Sequence, residues 1–382
     1  MILTEEHRAL QETTIKFIDR EIRPNLDDWE AEGIFPAHEL FKKLGDAGLL
    51  GINKPEKYGG LGLDYSYEVA FAEALGHIPA VGVSTPIGVQ TNMCTPALAK
   101  HGSDELCQEY LVPSIRGELV GCIGVSELSA GSDVASMKTF AKKDGDDYVI
   151  NGSKMWITNA TQADWMCMLC NTDTENGPHK NKSLIIVPLK QKGVSFSKRL
   201  DKMVLRSSDT AQVFFDNVRV PQRNLIGEEN RGFIYQMKQF QEERLFLCAR
   251  TCLNLEEVIE ATIEYTKDRI VFGKPVLHNQ VVHYKLAELK CKIEALRSLT
   301  YRAAEEYVSG QDVSNLTSMG KYLAGQLAKE VPSECLQYWG GQGVLNDNII
   351  SRYYRDLRQT AIGGGASEIM LQIVSRSMGI HP

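Results

Sequence analysis

Residues 138–160 read KTFAKKDGDDYVINGSKMWITNA, and this stretch decides the fold. Its Asp144-Gly145 pair is a strong signal for a β-hairpin turn, and alternating and β-branched residues flank the pair on both sides. Two later segments, SLIIVPLK and AQVFFDNVRVP, have the same character and are further strand candidates. We therefore predict a small, mostly antiparallel β domain over residues 118–228.

The sequence on either side of this β domain has a helical pattern. TEEHRALQETTIKFIDREI begins at Thr4, a candidate N-cap, and acidic residues follow in the first turn. Apolar residues recur every three or four positions between residues 286 and 296, which is the stripe of a bundle helix. The predicted fold class is thus α+β, with an N-terminal helical domain (1–117), the middle β domain (118–228) and a C-terminal four-helix bundle (229–382).

Composition and charge exclude several classes of protein. The 382 residues carry a net charge of −7 at pH 7 and no basic stripe, which argues against a nucleic-acid-binding surface. The longest uncharged stretch, between His77 and Lys100, contains three prolines and several polar residues, so it does not predict a membrane span. The N-terminus MILTEEHRAL is typical of an amphipathic helix rather than a secretory signal, and we expect no targeting peptide in this sequence.

Nine cysteines are spread along the chain without the spacing of a disulfide framework. Cys167 and Cys170 form a CxxC motif, but no second pair and no flanking histidines accompany it. Because a structural zinc site needs four ligands, we predict core thiols here and no metal site. This cysteine usage favours a reducing compartment.

Two motifs around the predicted hairpin have the composition of a ligand site. GVSELSAGSDVASMKT, residues 124–139, is rich in small residues and hydroxyls, and it could bring backbone N–H groups, Ser126 and Ser132 against a polar ligand. KMWITNA places Trp156 and Thr158 on one face of a strand, where an aromatic ring and a hydroxyl could meet the same flat ligand. A plain surface loop and a core tryptophan are the structural alternatives.

Three C-terminal motifs have glycines or basic residues in unusual positions. RIVFGKPVLHNQ contains Arg269, Phe272 and Gln280, so either a phosphate-binding or a helix-capping arginine fits it. QYWGGQGV is a dense glycine turn after a helix, and QTAIGGGASEIM places Gly363–Gly365 directly before one. Glycines are placed where the backbone needs a positive φ or where another group must come close to it.

Together and in this order, these motifs resemble the acyl-CoA dehydrogenase flavoprotein family. The segments KPEKYGGLGLD and FFDNVRVP fit the family as well, so the resemblance covers essentially the whole chain. It implies that FAD lies between the β domain and the bundle. The cofactor-binding positions that it implies are Val125, Ser126, Ser132, Trp156, Ile157, Thr158, Arg269, Phe272, Gln280, Gln337, Tyr338, Gly340, Gly341, Ala366, Ser367 and Glu368.

The resemblance also implies partners and a setting. Arg269, Phe272, Gln280 and the turn at 337–341 would hold the adenosine diphosphate end of the FAD of a partner subunit. This makes a homodimer the minimum unit and a homotetramer the expected one. Acyl-CoA is the expected substrate, and electron-transfer flavoprotein is the expected electron acceptor. The family acts in fatty-acid or branched-chain amino-acid catabolism, in the mitochondrial matrix of a eukaryote or the cytoplasm of a bacterium.

The sequence departs from the family pattern at three places. Residues 127–129 are Glu-Leu-Ser where the family commonly has Glu-Pro-Gly, and Ala366 replaces the usual threonine, so we expect weaker FAD retention rather than loss of binding. Gly364 stands where many members carry the glutamate that acts as base. A glycine cannot remove the α-proton of an acyl thioester, so either the carboxylate comes from elsewhere or the protein is inactive.

The helical segment QFQEERLFLCAR supplies a candidate base. Isovaleryl-CoA and long-chain acyl-CoA dehydrogenases place their base on this helix within Glu-Arg-Leu, and Glu243-Arg244-Leu245 matches that pattern. Glu243 also projects from an apolar face, with Phe240 and Leu247 three and four positions away, and apolar surroundings raise the pKa of a carboxyl group. The alternative is that Glu243 merely pairs with a nearby cation.

The resemblance then implies a mechanism. Glu243 would remove the α-proton while the β-hydrogen leaves as hydride to flavin N5, which yields a trans-2-enoyl-CoA. The neighbouring Glu242 has a ready ion-pair partner in Lys238 and is the less suitable base. The backbone N–H of Glu368 would help to polarise the thioester carbonyl. The implied substrate-binding positions are Ser132 near the pantetheine, Arg244 near the CoA moiety, and Gly364 and Gly365 along the acyl chain.

Three other functions stay open at this point. An acyl-CoA oxidase or an enoyl-CoA reductase could use the same site, and a non-catalytic subunit could bind acyl-CoA and FAD without turning them over. The length and branching of the acyl chain are open as well, because isovaleryl-type and long-chain-type enzymes both fit the position of the base.

Overall fold

The computed structural model of the chain describes residues 3–381. It contains helical, β and helical regions in that order, so the predicted α+β architecture is confirmed. Thr4 caps the first helix as predicted, because its hydroxyl accepts the backbone N–H of His7 in a capping box. The N-terminal helices are α1 (Glu5–Phe17), α2 (Leu26–Glu32), α3 (Ala37–Asp46), α4 (Tyr65–Ala74), α5 (Val81–Gly88), α6 (Thr95–His101), α7 (Asp104–Leu106) and α8 (Val112–Ile115).

The uncharged stretch between His77 and Lys100 forms core helices. Helix α5 and the π-helical turn Val89–Cys94 that follows it are buried along their whole length. In the part of the chain that the structure describes, no helix combines the length and apolarity needed to cross a bilayer.

The β domain contains the predicted hairpin. Its strands are β1 (Gly121–Gly124), β2 (Phe140–Asp144), β3 (Asp147–Thr158), β4 (Trp165–Asn171), β5 (Lys182–Pro188), β6 (Val194–Phe196), β7 (Thr210–Pro221) and β8 (Leu225–Ile226). Strands β2 and β3 pair across the turn, with Asp144 opposite Asp147. The sheet order is β6-β7-β3-β2-β4-β5-β8, and β1 joins it at β4. β1 and β2 each pair with β4 in parallel, and the remaining pairs are antiparallel, as predicted for most of the domain.

Strand β4 is buried along its length and contains Cys167 and Cys170. Both thiols are buried and free, which confirms the prediction of core thiols. Within residues 3–381 no three His, Cys, Asp or Glu side chains are grouped as the ligands of a metal ion would be.

The C-terminal region is a helical bundle. Its elements are α9 (Gly232–Asp268), β9 (Ile270–Val271), β10 (Lys274–Pro275), α10 (Gln280–Val308), α11 (Ser314–Trp339), α12 (Ile349–Leu357) and α13 (Ser367–Ser377). The apolar stripe of α10 is buried in the core that α9 and α11 share with it. Helix α9 has 37 residues, so it is about 55 Å long at 1.5 Å per residue.

The first half of α9 lies where all three regions meet. Helix α9 contacts α4 of the N-terminal region, β4 and β5 of the sheet, and α10 and α11 of the bundle. Leu245, Phe246 and Leu247 belong to one apolar cluster together with side chains of the N-terminal helices and the sheet. The fold therefore buries the turn of α9 that contains Glu243.

Candidate active site

A cavity of about 810 Å³ opens between the β domain and the bundle. Its volume falls within the roughly 300–1,000 Å³ range of small-molecule sites. The predicted site residues that line it are Val125, Ser126, Ser132, Trp156, Ile157, Glu243, Arg244, Gly364 and Gly365. The structure thus brings together the serine-rich loop, the tryptophan, the carboxylate and the glycines, which are far apart in the sequence.

A second group of predicted positions lies at the other end of the bundle. These residues are Arg269, Phe272, Gln280, Gln337, Tyr338, Gly340 and Gly341. Arg269 is the C-cap residue of α9, and it lies about 39 Å along the helix from Glu243 at 1.5 Å per residue. Tyr338 donates a hydrogen bond to the Val281 carbonyl, which joins the end of α11 to the start of α10. Within a single chain, this second group of residues therefore lies far from the cavity.

The remaining predicted positions adjoin the cavity. Ala366, Ser367 and Glu368 follow Gly365 directly and form the N-cap and the first two residues of α13. Thr158 is the last residue of β3, two positions after Trp156. Among the described residues, these four positions do not line the cavity wall.

Trp156 departs from regular strand geometry. Its φ is +64°, and the register of β3 against β7 shifts between Lys154 and Ile157. This irregularity interrupts the alternation on which a shared face of Trp156 and Thr158 depends, and Ile157 lines the cavity beside Trp156 instead. Trp156 is 58% exposed, so the alternative of a core tryptophan is wrong.

A buried ion pair holds the serine-rich loop in place. Lys154 Nζ donates to Glu127 Oε1 at 3.0 Å and to the Val125 carbonyl at 3.1 Å. The Glu127 carboxylate also accepts the backbone N–H groups of Lys138 and Thr139, at 2.7 and 2.9 Å. The departure from Glu-Pro-Gly therefore keeps the glutamate that organises the loop.

The other two residues of that departure lie at the tip of the loop. Leu128 is 74% exposed, and the turn around it is closed by backbone hydrogen bonds between Glu127 and Ala130.

Lys154 was not among the predicted site residues. Its position on an inward-facing stretch of β3, next to the loop's glutamate, is the signal that could have identified it.

Glu243 is buried at the cavity wall with only 8% of its surface exposed. Its carboxylate has no hydrogen-bond partner within residues 3–381. Burial raises its pKa above the ordinary value, and the charges of Arg244 and Lys321 offset part of that effect. A carboxyl group with a raised pKa and free lone pairs is suited to accept a proton.

Gly364 lies directly opposite this carboxylate. Its φ is +67°, and a Cβ atom on it would lie 3.2 Å from Glu243 Oε1 and would overlap Leu247 Cδ1. A side chain at position 364 would therefore be strained and would compete with Glu243 for the same space. The α9 carboxylate thus reaches the corner at which many family members carry their base.

Glu242 is engaged in a different network. Its Oε1 accepts hydrogen bonds from Lys100 Nζ and from the Tyr307 hydroxyl. The predicted partner Lys238 is wrong, because Lys100 approaches from the N-terminal helices and pairs with Glu242 instead. Glu242 is 1% exposed and, of the described residues, is not one that lines the cavity.

Arg244 places a cation in the cavity wall next to Glu243. Its Nη1 donates to the Ser318 hydroxyl at 3.3 Å, and its guanidinium lies 5.7 Å from the centre of the Phe240 ring. Among the described residues, the Nε atom has no hydrogen-bond partner. A buried guanidinium with a spare donor suits an anionic or carbonyl group of a ligand.

Lys321 is a second functional candidate that sequence reasoning missed. It lies on α11 and is 1% exposed. It shares a buried helix face with Thr317, Ala324 and Ala328, and a charged residue on such a face is the signal that could have identified it. Burial lowers its pKa to about 8.

The cavity fits the flavin that the resemblance implies. Trp156 presents an exposed aromatic face, and Ile123 and Ile157 add apolar wall. Ser126 and Ser132 add hydroxyl groups to the same wall. A flat ring system with polar edges needs this mixture of aromatic contact and hydrogen-bonding groups.

Family models match all three regions of the chain. "Acyl-CoA dehydrogenase, N-terminal domain" matches residues 4–118, "Acyl-CoA dehydrogenase, middle domain" matches 122–218, and "Acyl-CoA dehydrogenase, C-terminal domain" matches 230–379. The matches account for most of the sequence.

Known proteins are similar over nearly the whole of this chain. Long-chain specific acyl-CoA dehydrogenase of Sus scrofa is 36% identical, covering 99% of this chain and 87% of the relative. Isovaleryl-CoA dehydrogenase of Pongo abelii is 33% identical, covering 98% and 89%. The 3-(aryl)acrylate reductase of Clostridium sporogenes is 33% identical, covering 99% and 100%. The crystal structure of acyl-CoA dehydrogenase from Geobacillus kaustophilus has a TM-score of 0.94 and 36% identity, covering 98% of both chains.

Proposed function

This chain belongs to the acyl-CoA dehydrogenase family of FAD-dependent oxidoreductases, and on that basis we propose that it oxidises an acyl-CoA thioester to a trans-2-enoyl-CoA with Glu243 as the base. The observation that carries the proposal is the contact between Glu243 and the corner at Gly364. A side chain at position 364 would be strained and crowded there, and a buried carboxylate that has no hydrogen bond among the described residues occupies the adjoining space.

The reaction divides between the chain and its cofactor. A bound FAD would supply the acceptor for the β-hydrogen, which leaves as hydride, and Ser126, Ser132 and Trp156 line the wall that would hold it. Glu243 accepts the α-proton, so two hydrogens leave and a carbon–carbon double bond forms. Apolar surroundings make the Glu243 carboxylate a stronger base than a carboxylate in water. The cavity walls keep the acyl chain against Glu243 and Gly364.

Hydrogen bonds to the thioester oxygen make the α-proton easier to remove. Glu368 is the second residue of α13, so its backbone N–H is one of the first-turn groups without a partner inside the helix. We assign this N–H to the thioester oxygen. Arg244 would bind the CoA moiety and Ser132 the pantetheine, since both line the cavity.

We also propose that a homodimer is the minimum unit and a homotetramer the complete one. Phe272 is fully exposed in a single chain, and Ile270, Val281 and Tyr284 nearby in the sequence are more than half exposed. Such an apolar cluster is typical of a subunit interface. Arg269 and its neighbours would then reach the FAD of the partner subunit. Light scattering of the purified protein, with and without Phe272→Ser, tests this assembly.

Anaerobic mixing with a panel of acyl-CoA thioesters tests the reaction and identifies the substrate class. The panel runs from isovaleryl-CoA to palmitoyl-CoA, and the expected result is loss of the yellow flavin colour with one group of them. A protein that keeps its flavin but is bleached by no thioester would contradict the proposal. Restoring the colour with electron-transfer flavoprotein, rather than with air, tests the expected electron acceptor.

A second candidate is enoyl reduction at the same site. It is supported by the similarity to the Clostridium sporogenes protein named as a 3-(aryl)acrylate reductase. Flavin reduced with dithionite and then mixed with an enoyl thioester or an aryl acrylate distinguishes the two directions. Faster reoxidation by the enoyl compound than reduction by the acyl compound favours the reductase, and hydrogen peroxide formed under air favours an oxidase.

A further inference from the structure

Lys321 is a buried lysine that the proposed reaction does not use. Its Nζ donates hydrogen bonds to the Thr360 carbonyl at 2.5 Å and to the Gly365 carbonyl at 3.2 Å. The two carbonyls lie on either side of the corner that contains Gly363 and Gly364. Lys321 therefore ties α11 to both ends of the glycine corner.

Lys321 and Glu243 approach this corner from two different helices. A Cβ atom on Gly364 would lie 3.5 Å from Lys321 Cε and 3.2 Å from Glu243 Oε1. An ammonium group near a carboxylate favours the ionised carboxylate, and the effect is strong where water is excluded. The lysine is thus placed to act on the ionisation of Glu243.

The charged groups around the two residues come from α9 and α11. Glu243 has Arg244 and Lys321 as its charged neighbours. Lys321 has Glu243 and Cys248, which favour its charge, and Arg244 and Arg250, which oppose it. Since burial lowers the pKa of Lys321 only to about 8, the lysine is charged at neutral pH.

We propose that Lys321 is a positioning residue, which holds the glycine corner in the shape that leaves room for Glu243 and adds to Arg244 a second positive charge that favours the ionised form of Glu243. The inference deepens the proposed function and rests on it, because it takes Glu243 as the base. Lys321 acts through Glu243 rather than on the substrate, since it does not line the cavity among the described residues. A lysine that only tied the corner would leave the ionisation of Glu243 unchanged.

The pH dependence of flavin reduction separates these two roles. Lys321→Gln keeps an N–H donor but removes the charge, Lys321→Arg keeps the charge, and Lys329→Gln changes an exposed lysine on the same helix. We expect Lys321→Gln to move the midpoint of the pH profile upward by about one unit. The other two variants should keep the midpoint of the wild type. An unmoved midpoint in Lys321→Gln overturns the proposal.

A double-mutant cycle tests the same link without substrate or turnover. Thermal unfolding at neutral pH is compared for the wild type, Lys321→Gln, Glu243→Gln and the double variant. The double variant should be more stable than the sum of the single changes predicts, because the attraction is lost only once. Additive effects overturn the role of Lys321, whether or not any thioester bleaches the flavin.

The Lys321→Arg background keeps the test decisive if Lys321→Gln does not fold. There, Glu243→Gln should change the stability by the same amount as in the wild type. A different change would overturn the proposal. The coupling between Lys321 and Glu243 can be present even where the acyl-CoA panel gives no bleaching, and that result would refute the proposed function alone.

Discussion

The two sides of the cavity, the β wall and the bundle wall, each have a buried lysine and a buried glutamate among their lining residues or packed directly behind them, and they use them differently. In the β wall, Lys154 donates directly to Glu127, and backbone N–H groups of the loop satisfy the same carboxylate. In the bundle wall, Lys321 donates to two backbone carbonyls, while the Glu243 carboxylate has no hydrogen bond within the described residues.

The difference separates a structural carboxylate from a reactive one. A buried carboxylate that is paired and hydrogen-bonded stabilises its own charge, so it holds the loop but is a poor base. A buried carboxylate without donors has a raised pKa and free lone pairs, which costs stability and favours proton transfer. Glu127 and Glu243 illustrate these two cases on opposite sides of one cavity.

The largest expected effect is on turnover at the bundle wall. Glu243→Gln should lower the rate of flavin reduction by about 10³-fold, the typical contribution of a general base, while FAD stays bound. Rapid mixing with the best thioester under anaerobic conditions measures this. The matched control is Glu242→Gln, one residue away and also buried, whose flavin should still be reduced by the thioester. Equal losses in both variants would contradict the assignment.

The next effect is on the stability of the β wall. Lys154→Met should destabilise the fold by about 3 kcal/mol, because it leaves Glu127 buried without its ion-pair partner. It should also release FAD, since the 124–139 loop loses its anchor. Urea unfolding and the flavin content measure the two effects. Lys143→Met, on strand β2, removes a partly exposed ion pair with Glu229 in the turn before α9 and should change stability by less than about 1 kcal/mol.

A smaller effect is expected at the glycine corner. Gly364→Ala should cost about 3 kcal/mol at most, since φ is +67° and the new methyl group would overlap Leu247. Gly145→Ala is the control, because its φ is +61° and its Cβ would contact nothing within 4 Å. The difference between the two variants in urea unfolding isolates the crowding against α9. If Gly364→Ala lost no more stability than Gly145→Ala, the predicted overlap between the new methyl group and Leu247 would be contradicted.

The Glu243 carboxyl group should also make the stability of the protein depend on pH. Burial raises the pKa of Glu243 above 4.5, so the folded protein retains a proton that the unfolded chain has already released. Its contribution to stability therefore falls as pH rises from 4.5 through the raised value. Glu243→Gln should therefore gain stability relative to the wild type as the pH rises from 5 to 8. Urea denaturation of both proteins at pH 5 and at pH 8 measures the difference in their free energies of unfolding. If the advantage of Glu243→Gln became smaller as the pH rose, the prediction would be wrong.

The smallest expected effect concerns Ala366. It is the N-cap of α13 and provides no side-chain cap, with φ −57° and ψ 151°. Ala366→Thr should stabilise the protein by about 1 kcal/mol and improve FAD retention, because its hydroxyl can cap the helix at the cavity wall. Thermal unfolding and flavin content measure this, with Ala366→Val as the control for bulk without a hydroxyl. A valine that stabilises equally would show that capping is not the cause.

Local patterns in the sequence predicted the elements that local forces determine. The hairpin at Asp144-Gly145, the cap at Thr4 and the apolar stripe of α10 depend on neighbours within a few residues, and all three are present. Glu243 was selected as the base by its Glu-Arg-Leu motif and its apolar helix face, and it stays a prediction until its variant is tested. These features needed no knowledge of how distant segments pack.

The errors and omissions have the opposite character. Lys238 was expected to pair with Glu242 because it is four residues away on the helix, but Lys100 arrives from another domain and pairs with it instead. Lys321 was missed because its partners are backbone carbonyls of a turn that no sequence pattern connects to α11. The irregularity at Trp156 depends on the pairing of β3 with β7, which single-strand alternation does not contain.

The amino-acid sequence alone determined the order of the three regions and the chemical types present at the site, because periodicity, capping and motif residues act over a few positions along the chain. Only the tertiary structure decided which buried carboxylate is paired and which is free. That choice depends on donors delivered from other helices and strands, and the free energy of a buried charge is determined by those neighbours rather than by its own segment.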